Sequence, residues 1–434
     1  MTPQSPFLIV APVRDGRMQT LRALLASMNQ TAGHADPENP LVPFGRFERL
    51  HMARFVVLEA KTADEIRAHG VAPYPWQSAL AFLGDCDGDR DSFLGELAGH
   101  AGPGLVKIFS CCEGFPGREP DLLPWMQAHH VRPQANYINW IGRTVRQVRE
   151  EAALHRSLSQ RLQEIVDEVG RDNTRALRQR LLTHVEMEMH AGRITLTPPA
   201  PTPLGWRLKN LLHKVGIPLI LLLLAPPLAV AAPFLAWRLR MLERADPEIV
   251  IPPDRRHVRE LSVLEDHDVT NQFTVFGDVK PEMFRLALLW ILLLLLDYSA
   301  RHVYNRGFLT RVRTIHFARW VLMDGNRCLL FASNYDGSLE SYMDDFINKV
   351  AWGLNLVFSN GVGYPATRWL IQGGAAQEQK FKYTLRRHQL PTQVWYKAYP
   401  GLTAHQLSRN SRIREGMEIR PSNDAAIRRW LSLI

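Results

Sequence analysis

Apolar residues alternate with polar ones over short runs in two separate stretches of the chain, one in each half. In the first half this pattern predicts strands at residues 7–13, 51–58, 78–84 and 106–111, with helices at 17–30 and 89–100. In the second half it predicts strands at residues 273–279, 314–323, 328–334 and 355–358, with helices at 283–303 and 338–352. Both halves are then predicted to add a helix and a strand, which end near Trp140 and Tyr399.

The two halves also match each other residue by residue. Residues 50–56 correspond to residues 315–321 at an offset of 265, with the His, Ala and Arg identical. Residues 82–116 correspond without a gap to residues 331–365 at an offset of 249. The offset differs because the first half carries 16 extra residues around positions 62–76, which we interpret as a loop between strands. We therefore interpret the chain as an internal duplication.

This order of elements, present twice, resembles the dimeric α+β barrel superfamily, which includes dye-decolourising peroxidases, chlorite dismutases and antibiotic-biosynthesis monooxygenases. The resemblance covers roughly 280 residues and rests on element order and duplication, since no haem or catalytic motif of those families matches here. It implies an α+β fold in which two ferredoxin-like repeats form a pseudo-dimeric α+β barrel. The predicted domains are a first repeat, a helical linker with a Pro-rich connector, a membrane-inserting segment, a connector, a second repeat and a basic C-terminal tail helix, at residues 1–145, 146–202, 203–245, 246–271, 272–405 and 406–434.

One apolar segment predicts contact with a membrane. Residues 215–237 form a run of 23 residues without a charge, which is long enough to span a bilayer, and basic residues flank both of its ends. Pro226 and Pro227 lie at its centre, where two successive prolines would interrupt a helix. A single crossing would leave the two repeats on opposite sides of the membrane. We therefore predict a monotopic, re-entrant hairpin on the cytoplasmic face, with a single span and a buried pair of core helices as alternatives.

A second apolar run, at residues 286–296, is too short to cross a bilayer at 1.5 Å per residue. We expect it to lie on lipid or to be covered by the linker helices. Net charge is +9, and residues 379–434 hold 11 Lys and Arg against 3 Asp and Glu. Because the chain has a membrane segment and no nucleic-acid-binding motif, anionic membrane lipid is the expected partner and nucleic acid is not.

The cysteines do not have the spacing of a metal site, and we predict no bound metal. They are interpreted as reduced thiols of a protein that faces the cytoplasm. The adjacent pair Cys111 and Cys112 is either redox-active or simply buried. The four cysteines are Cys86, Cys111, Cys112 and Cys328.

Polar residues present in both halves are the candidates for a functional site. His51 and His316 occupy matching positions, with Arg54 and Arg319 three residues later. Strict alternation would place the His and the Arg of each strand on opposite faces of the sheet. The histidines, together with His388, are candidate cofactor ligands or, alternatively, hydrogen-bonded core residues.

We expect the two arginines to pair with Asp87 and Asp336, either as structural ion pairs or as part of a site. The second half is more polar at its strand ends, so the predicted catalytic residues lie there. They are His316, Arg319, Asn334, Tyr335, Asp336 and Tyr396.

Two functions are open at this point. The first is a membrane-attached oxidoreductase, peroxidase-like or monooxygenase-like, that takes a lipid-derived or other apolar small molecule from the bilayer, with haem as a candidate cofactor. The second is a non-catalytic, membrane-bound ligand-binding or scaffold protein. The sequence leaves the substrate and the oligomeric state open.

Overall fold

The structure is a computed structural model that describes residues 1–60, 62–73 and 76–434. Its first half contains antiparallel strands and helices in the alternating order that the hydrophobic pattern predicts. These elements are β1 (Gln4–Pro12), α1 (Met18–Ala26), the short strands β2 (Asn29–Thr31) and β3 (His34–Ala35), β4 (Leu50–Leu58), α2 (Ala63–Ala68), β5 (Ala79–Asp87), α3 (Arg90–Phe109), α4 (Leu122–Ala128) and β6 (Ala135–Ile138).

Four helices connect the two halves: α5 (Val145–Val169), α6 (Thr174–His190), α7 (Leu204–Ala245) and α8 (Arg255–Ser262). The second half then repeats the order of the first and ends in two further helices. Its elements are β7 (Thr270–Asp278), α9 (Met283–His302), β8 (Ile315–Met323), β9 (Cys328–Asp336), α10 (Leu339–Phe358), the short β10 (Thr367–Arg368) and β11 (Gln372–Gly373), α11 (Glu378–His388), β12 (Thr392–Lys397), α12 (Ala404–Glu418) and α13 (Asp424–Leu431).

The eight longer strands form two antiparallel four-stranded sheets, in the orders β1-β5-β4-β12 and β6-β8-β9-β7. Each sheet thus takes three strands from one half and its fourth strand from the other. Just before each exchanged strand, the chain also bridges the first strand of its own half, at His130 with Ile9 and at Gln389 with Val275. Main-chain hydrogen bonds therefore hold the two halves together.

The two sheets face each other across an apolar layer. Leu8, Val56 and Leu83 of the first sheet share this layer with Val321 and Leu330 of the second. The opposite face of each sheet is covered by helices and forms a separate core. The C-terminal helices α12 and α13 pack on the linker helices α5 and α6 and form a fourth cluster. The predicted C-terminal tail is therefore part of the folded body.

The predicted fourth strands, at residues 106–111 and 355–358, are wrong. Residues 106–109 are the last turn of α3, and residues 355–358 are the last turn of α10. A short apolar run does not distinguish a strand from a buried helical turn, and Pro103, inside α3, suggested a helix end that does not occur. The true fourth strands are β6 and β12. The extra residues of the first half are likewise more than a loop, since they include α2.

The predicted re-entrant hairpin is also wrong. Residues 204–245 form one helix of 42 residues, α7, that continues through Pro226 and Pro227. Proline has a helical φ. It removes the hydrogen bonds to the carbonyls of Leu222 and Leu223 and crowds those carbonyls, which can bend a helix without ending it. The leucines and alanines on both sides are strong helix formers. The two prolines therefore do not make a turn.

Helix α7 contacts α9 near both of its ends and runs in the opposite direction. Near its start, His213 Nδ1 is 2.8 Å from His302 Nε2, at the end of α9. Just after its end, Asp246 accepts hydrogen bonds from Lys280 Nζ and from Arg285, at the start of α9, each at 2.6 Å. Helix α9 itself packs on the second sheet through Leu289 and Leu293. Both ends of α7 are therefore attached to the same folded body.

Between these two attachments α7 is exposed. Residues 218–230 are all solvent-exposed, and the most apolar 18-residue window of the helix has a mean hydropathy of 2.3 with none of it buried. Helix α9 has a corresponding window of mean hydropathy 1.8 that is 22% buried. Among the described residues, these two helices are long and apolar enough to cross a membrane.

Candidate functional site

The two equivalent arginines cross the layer between the sheets. Arg319, on β8, donates to the carbonyl oxygens of Phe7 and Gly84 at 2.9 and 3.1 Å and to Asp85 Oδ2 at 2.5 Å. Arg54, on β4, donates in the same way to the carbonyl oxygens of Phe273 and Ser333, at 3.0 and 2.8 Å.

Each guanidinium therefore binds the backbone of the opposite sheet, and both arginines are 3% exposed. The predicted pairing of Arg54 and Arg319 with Asp87 and Asp336 is wrong. Their side-chain partners are Asn334 and Thr274, which accept from Arg54, and Asp85, which accepts from Arg319. The sequence did not indicate Asp85, although Asp85 lies two residues before Asp87, the predicted partner.

Asp87 and Asp336, the predicted partners of the arginines, bind the histidines instead. His51 Nε2 donates to Asp87 Oδ1 at 2.9 Å, and His316 Nε2 donates to Asp336 Oδ1 at 2.6 Å. The second carboxylate oxygen of each aspartate accepts the first free backbone N–H of a helix: Val145 N for Asp87, and Ala404 N for Asp336. Each His–Asp pair thus ties a strand end to the start of the helix that follows the exchanged strand.

Both histidines sit in β-bulges. Leu50 and Met52 are paired with the neighbouring residues Cys86 and Asp85, so His51 is an extra residue in β4. The same shift occurs at His316 in β8. A bulge interrupts the alternation of side chains, so the prediction that His and Arg must lie on opposite faces does not hold here. Both His51 and Arg54 reach residues of the second half of the chain.

The two His–Asp pairs differ in their third partner. Tyr399 OH lies 3.0 Å from His51 Nδ1, and because burial raises the pKa of Tyr399, the phenol stays protonated and donates. At His316 the Nδ1 atom has no hydrogen-bond partner among the described residues. The ring centroid of His316 lies 6.4 Å from that of Tyr399. The histidines of the two halves are therefore neighbours around one tyrosine.

The space beside these histidines is small. A cavity of about 20 Å³ lies between them and is lined by His51, His316, Tyr399, Asn139 and Phe317, among others. That volume holds about one water molecule. A haem group does not fit at His51 and His316, and we derive no reaction step through it.

The remaining predicted site residues are dispersed. His388 donates from Nε2 to Glu65 at 2.8 Å and lies beside Gly277, toward the opposite end of the second sheet from His316. Tyr335 stacks on Tyr342 with ring centroids 4.1 Å apart, in the core outside the second sheet. Tyr396 stacks on Phe44 in the core outside the first sheet. The six predicted catalytic residues therefore do not form one site.

No protein-family model, curated protein or solved structure matches this chain. The site must therefore be argued from its own geometry. The four cysteines, including the adjacent pair Cys111 and Cys112, are buried free thiols, and burial raises the pKa of each of them.

An apolar cavity that the sequence did not indicate lies between α9 and α10. Its volume is about 220 Å³. One wall is formed by α9, the other by α10, and the base by Trp320 of β8. Its lining includes Leu292, Leu296, Tyr304, Trp320, Val350 and Gly353.

At the equivalent place among the described residues of the first half, the chain itself fills the space. Gly104 matches Gly353 at the offset of 249, and a Cβ atom at Gly104 would lie 1.8 Å from the carbonyl oxygen of Leu41. A Cβ atom at Gly353 would have no neighbour within 4 Å. In the first half, residues 27–49 separate α1 from β4, whereas only residues 303–314 separate α9 from β8. The shorter connection leaves the cavity open.

The backbone is irregular at two points in the cavity wall. Val350 has φ −145° and ψ 25°, which breaks the helical geometry of α10. Thr310, in the loop after α9, has a φ of 55°. A β-branched residue is strained in that region, and such strain is often found at ligand sites. This cavity is therefore the better candidate for a binding site than the histidine pairs.

Proposed function

We propose that the chain is a monotopic membrane protein that binds an apolar chain from the bilayer in the cavity between α9 and α10. The observation that carries this proposal is the position of α7. Its exposed apolar middle is held at both ends by α9, and α9 also forms a wall of the cavity. The proposal corresponds to the ligand-binding alternative of the sequence analysis.

Attachment at both ends of α7 supports a monotopic arrangement. If α7 crossed the bilayer, α9, to which both ends of α7 are attached, would have to cross too. Helix α9 packs on the second sheet, so the sheet would have to enter the bilayer with it. The strand backbone and the buried arginines of that sheet cannot enter hydrocarbon. A helix about 10 Å wide that lies in the plane of the membrane fits within one leaflet of a bilayer whose hydrocarbon core is about 30 Å thick.

The charges at the two ends of α7 agree with this arrangement. Arg207, Lys209 and Lys214 precede the apolar part, and Arg238, Arg240 and Arg244 follow it. Basic side chains at both ends can reach the headgroups of the same leaflet, while the uncharged middle is immersed. The preference of basic residues for the cytoplasmic side supports placing that leaflet at the cytoplasmic face.

The cavity suits part of a single hydrocarbon chain. An apolar cavity of about 150 Å³ accommodates benzene, and sites for drug-sized ligands begin at about 300 Å³. The exposed Trp352 also lines the cavity, and the Tyr304 hydroxyl has no hydrogen-bond partner among the described residues. We infer a segment of an acyl or isoprenoid chain, with Tyr304 available to a polar group of the ligand.

We also infer that the two halves are ferredoxin-like repeats that close into a pseudo-dimeric α+β barrel. The identical strand order of the two sheets, the exchanged strands and the matching roles of Arg54 and Arg319 support this inference. The likeness to the dimeric α+β barrel superfamily would then be one of architecture. The oxidoreductase hypothesis has weaker support, because its histidines surround a space of only about 20 Å³.

Mass spectrometry of the protein purified in detergent tests the ligand directly. We expect a co-purifying lipid-derived compound in the wild type and its loss in Gly353→Leu, whose side chain fills the cavity. The matched control is Gly99→Leu, in α3, where an added Cβ also has no neighbour within 4 Å and no ligand cavity is affected. Retention of the same compound by the folded Gly353→Leu variant would exclude this cavity as the site, and a Soret band in the absorbance spectrum would revive the haem hypothesis.

A further inference from the structure

A basic and aromatic groove lies at the C-terminal end of α7, where the apolar helix meets the body. We call it the Arg–Trp groove. Its volume is about 500 Å³, and it is lined by Trp237, Arg240, Arg244, Arg368 and Trp369. Three of these residues come from α7, at the end of its apolar part and just after it, and the other two come from the end of β10 and the turn that follows.

The turn that carries Trp369 is strained and is held in place by one carboxylate. Trp369 and Leu370 both have a φ of 56°, which is uncommon for residues other than glycine. Glu243, on α7, accepts hydrogen bonds from Trp369 N at 3.0 Å, from Leu370 N at 2.9 Å and from Thr367 Oγ1 at 3.1 Å. Burial by itself would raise the pKa of Glu243, but these hydrogen bonds outweigh it and lower the pKa, so the carboxylate stays ionised.

The strained turn exposes apolar side chains to the solvent next to α7. Trp369 is 43% exposed and Ile371 is 55% exposed, while Trp237 on α7 is 58% exposed. Tryptophan is enriched where proteins meet the headgroup layer of a membrane. The strained turn thus places its exposed residues beside the end of the segment that contacts lipid.

The charges of the groove are not neutralised by the protein. Arg240 stacks over the ring of Trp369 at 5.4 Å and pairs with Glu243. Arg244 and Arg368 are exposed and have no acidic partner among the described residues. The carboxylate of Glu243, which holds the turn, is already occupied by Arg240 and by the hydrogen bonds of the turn. Two positive charges therefore remain available to a ligand.

We propose that the Arg–Trp groove binds the phosphate group of an anionic phospholipid, with Arg244 and Arg368 as the residues that recognise it. Planar guanidinium groups bind phosphate oxygens through paired hydrogen bonds, and indole rings favour the adjacent glycerol region of the bilayer. This inference rests on the proposed membrane attachment and adds a lipid preference to it. It is independent of the ligand in the apolar cavity.

Flotation with vesicles tests the proposal on the full chain, synthesised in the presence of the vesicles. One set contains phosphatidylcholine alone, and the other contains phosphatidylcholine with phosphatidylglycerol. The variants are the double substitution R244Q/R368Q and, as a control with the same change in charge, R428Q/R429Q, which alters two exposed arginines on α13. The measured quantity is the lipid concentration at which half of the protein floats.

On phosphatidylcholine we expect all three proteins to float alike. With phosphatidylglycerol, the wild type and R428Q/R429Q should need less lipid than on phosphatidylcholine alone. R244Q/R368Q should need more lipid than the wild type, by roughly fivefold for each arginine replaced. If R244Q/R368Q gained as much as the wild type, the groove proposal would be wrong and the membrane attachment would be unaffected. Failure of the wild type to float on phosphatidylcholine would instead overturn the membrane attachment. If phosphatidylglycerol brought the wild type no gain, and inorganic phosphate raised the melting temperature of the wild type but not of R244Q/R368Q, the ligand would be a free anion and not the lipid.

Discussion

Arg319 meets the carboxylate of Asp85 at 2.5 Å, deep between the two sheets, and both side chains are almost fully buried. In the matching position of the other half, Arg54 meets the neutral amide of Asn334. Loss of one partner from a buried ion pair leaves a charge without compensation, whereas loss of a partner from a neutral amide does not. The two arginines are equivalent in position but not in their electrostatic surroundings.

We therefore expect Arg319→Ala to lower the free energy of unfolding by about 3–5 kcal/mol, because Asp85 stays buried without the guanidinium that donates to it. Arg54→Ala should lower it by only about 1–3 kcal/mol, through unsatisfied carbonyl and amide oxygens. Burial lowers the pKa of Arg54 to about 9, which agrees with a weakly compensated charge at that position. Chemical denaturation in detergent compares the two variants, and equal losses would contradict the argument.

His316→Ala tests whether the His–Asp pairs are structural. Asp336 would lose one partner and keep its bond to the start of α12, so we expect a loss of about 1–3 kcal/mol in stability. The apolar cavity lies on the helix-covered side of the second sheet, and its ligand should stay bound. A variant with unchanged stability that had lost the ligand would assign His316 a direct functional role.

The sequence identified the first three long strands of each half, the equivalence of His51 with His316 and of Arg54 with Arg319, and the exposed apolar segment. It could not identify the arginine partners, because an exchange of strands and a one-residue bulge decide which aspartate each side chain meets. The cavity was also hidden from the sequence. It depends on the absence of chain beside Gly353, and only a three-dimensional comparison with Gly104 makes that absence visible.

The same pair of glycines gives opposite expectations for one substitution. Gly353→Ala places a methyl group in open space inside a helix, and replacing a helical glycine by alanine should stabilise the protein by about 0.5–1 kcal/mol. Gly104→Ala would force its methyl group against the backbone of Leu41, so it should destabilise, and overpacking of this kind typically costs about 1–3 kcal/mol. If the denaturation midpoints of the two variants shifted in the same direction, this result would argue against an open cavity at Gly353.

Lys280 predicts an unusual dependence of stability on pH. Burial lowers the pKa of Lys280 to about 8, although Asp246, at 2.6 Å, acts in the opposite direction. An unfolded lysine titrates near about 10.4, so between these values the unfolded chain binds more protons than the folded one. Stability should therefore rise by about 3 kcal/mol as the pH increases from about 8 to about 10.4. Lys280→Met should remove this rise, and denaturation curves measured across the range would detect it.

The last prediction concerns the side of the membrane on which α7 begins and ends. Both ends are bound to one body, at His213 with His302 and at Asp246 with Arg285, so both must lie on the same side whatever the depth of the middle. The natural cysteines are buried and can be replaced, and single cysteines at Leu204 and Glu248, which are exposed, then report on the two ends. With an impermeant thiol reagent we expect both positions to be protected in intact cells and labelled after lysis. Labelling of both in intact cells would keep the monotopic arrangement but move it to the outer face. Labelling of one position alone would mean that α7 crosses the bilayer, that α9 does not lie along it in the membrane, and that the monotopic attachment proposed above is wrong.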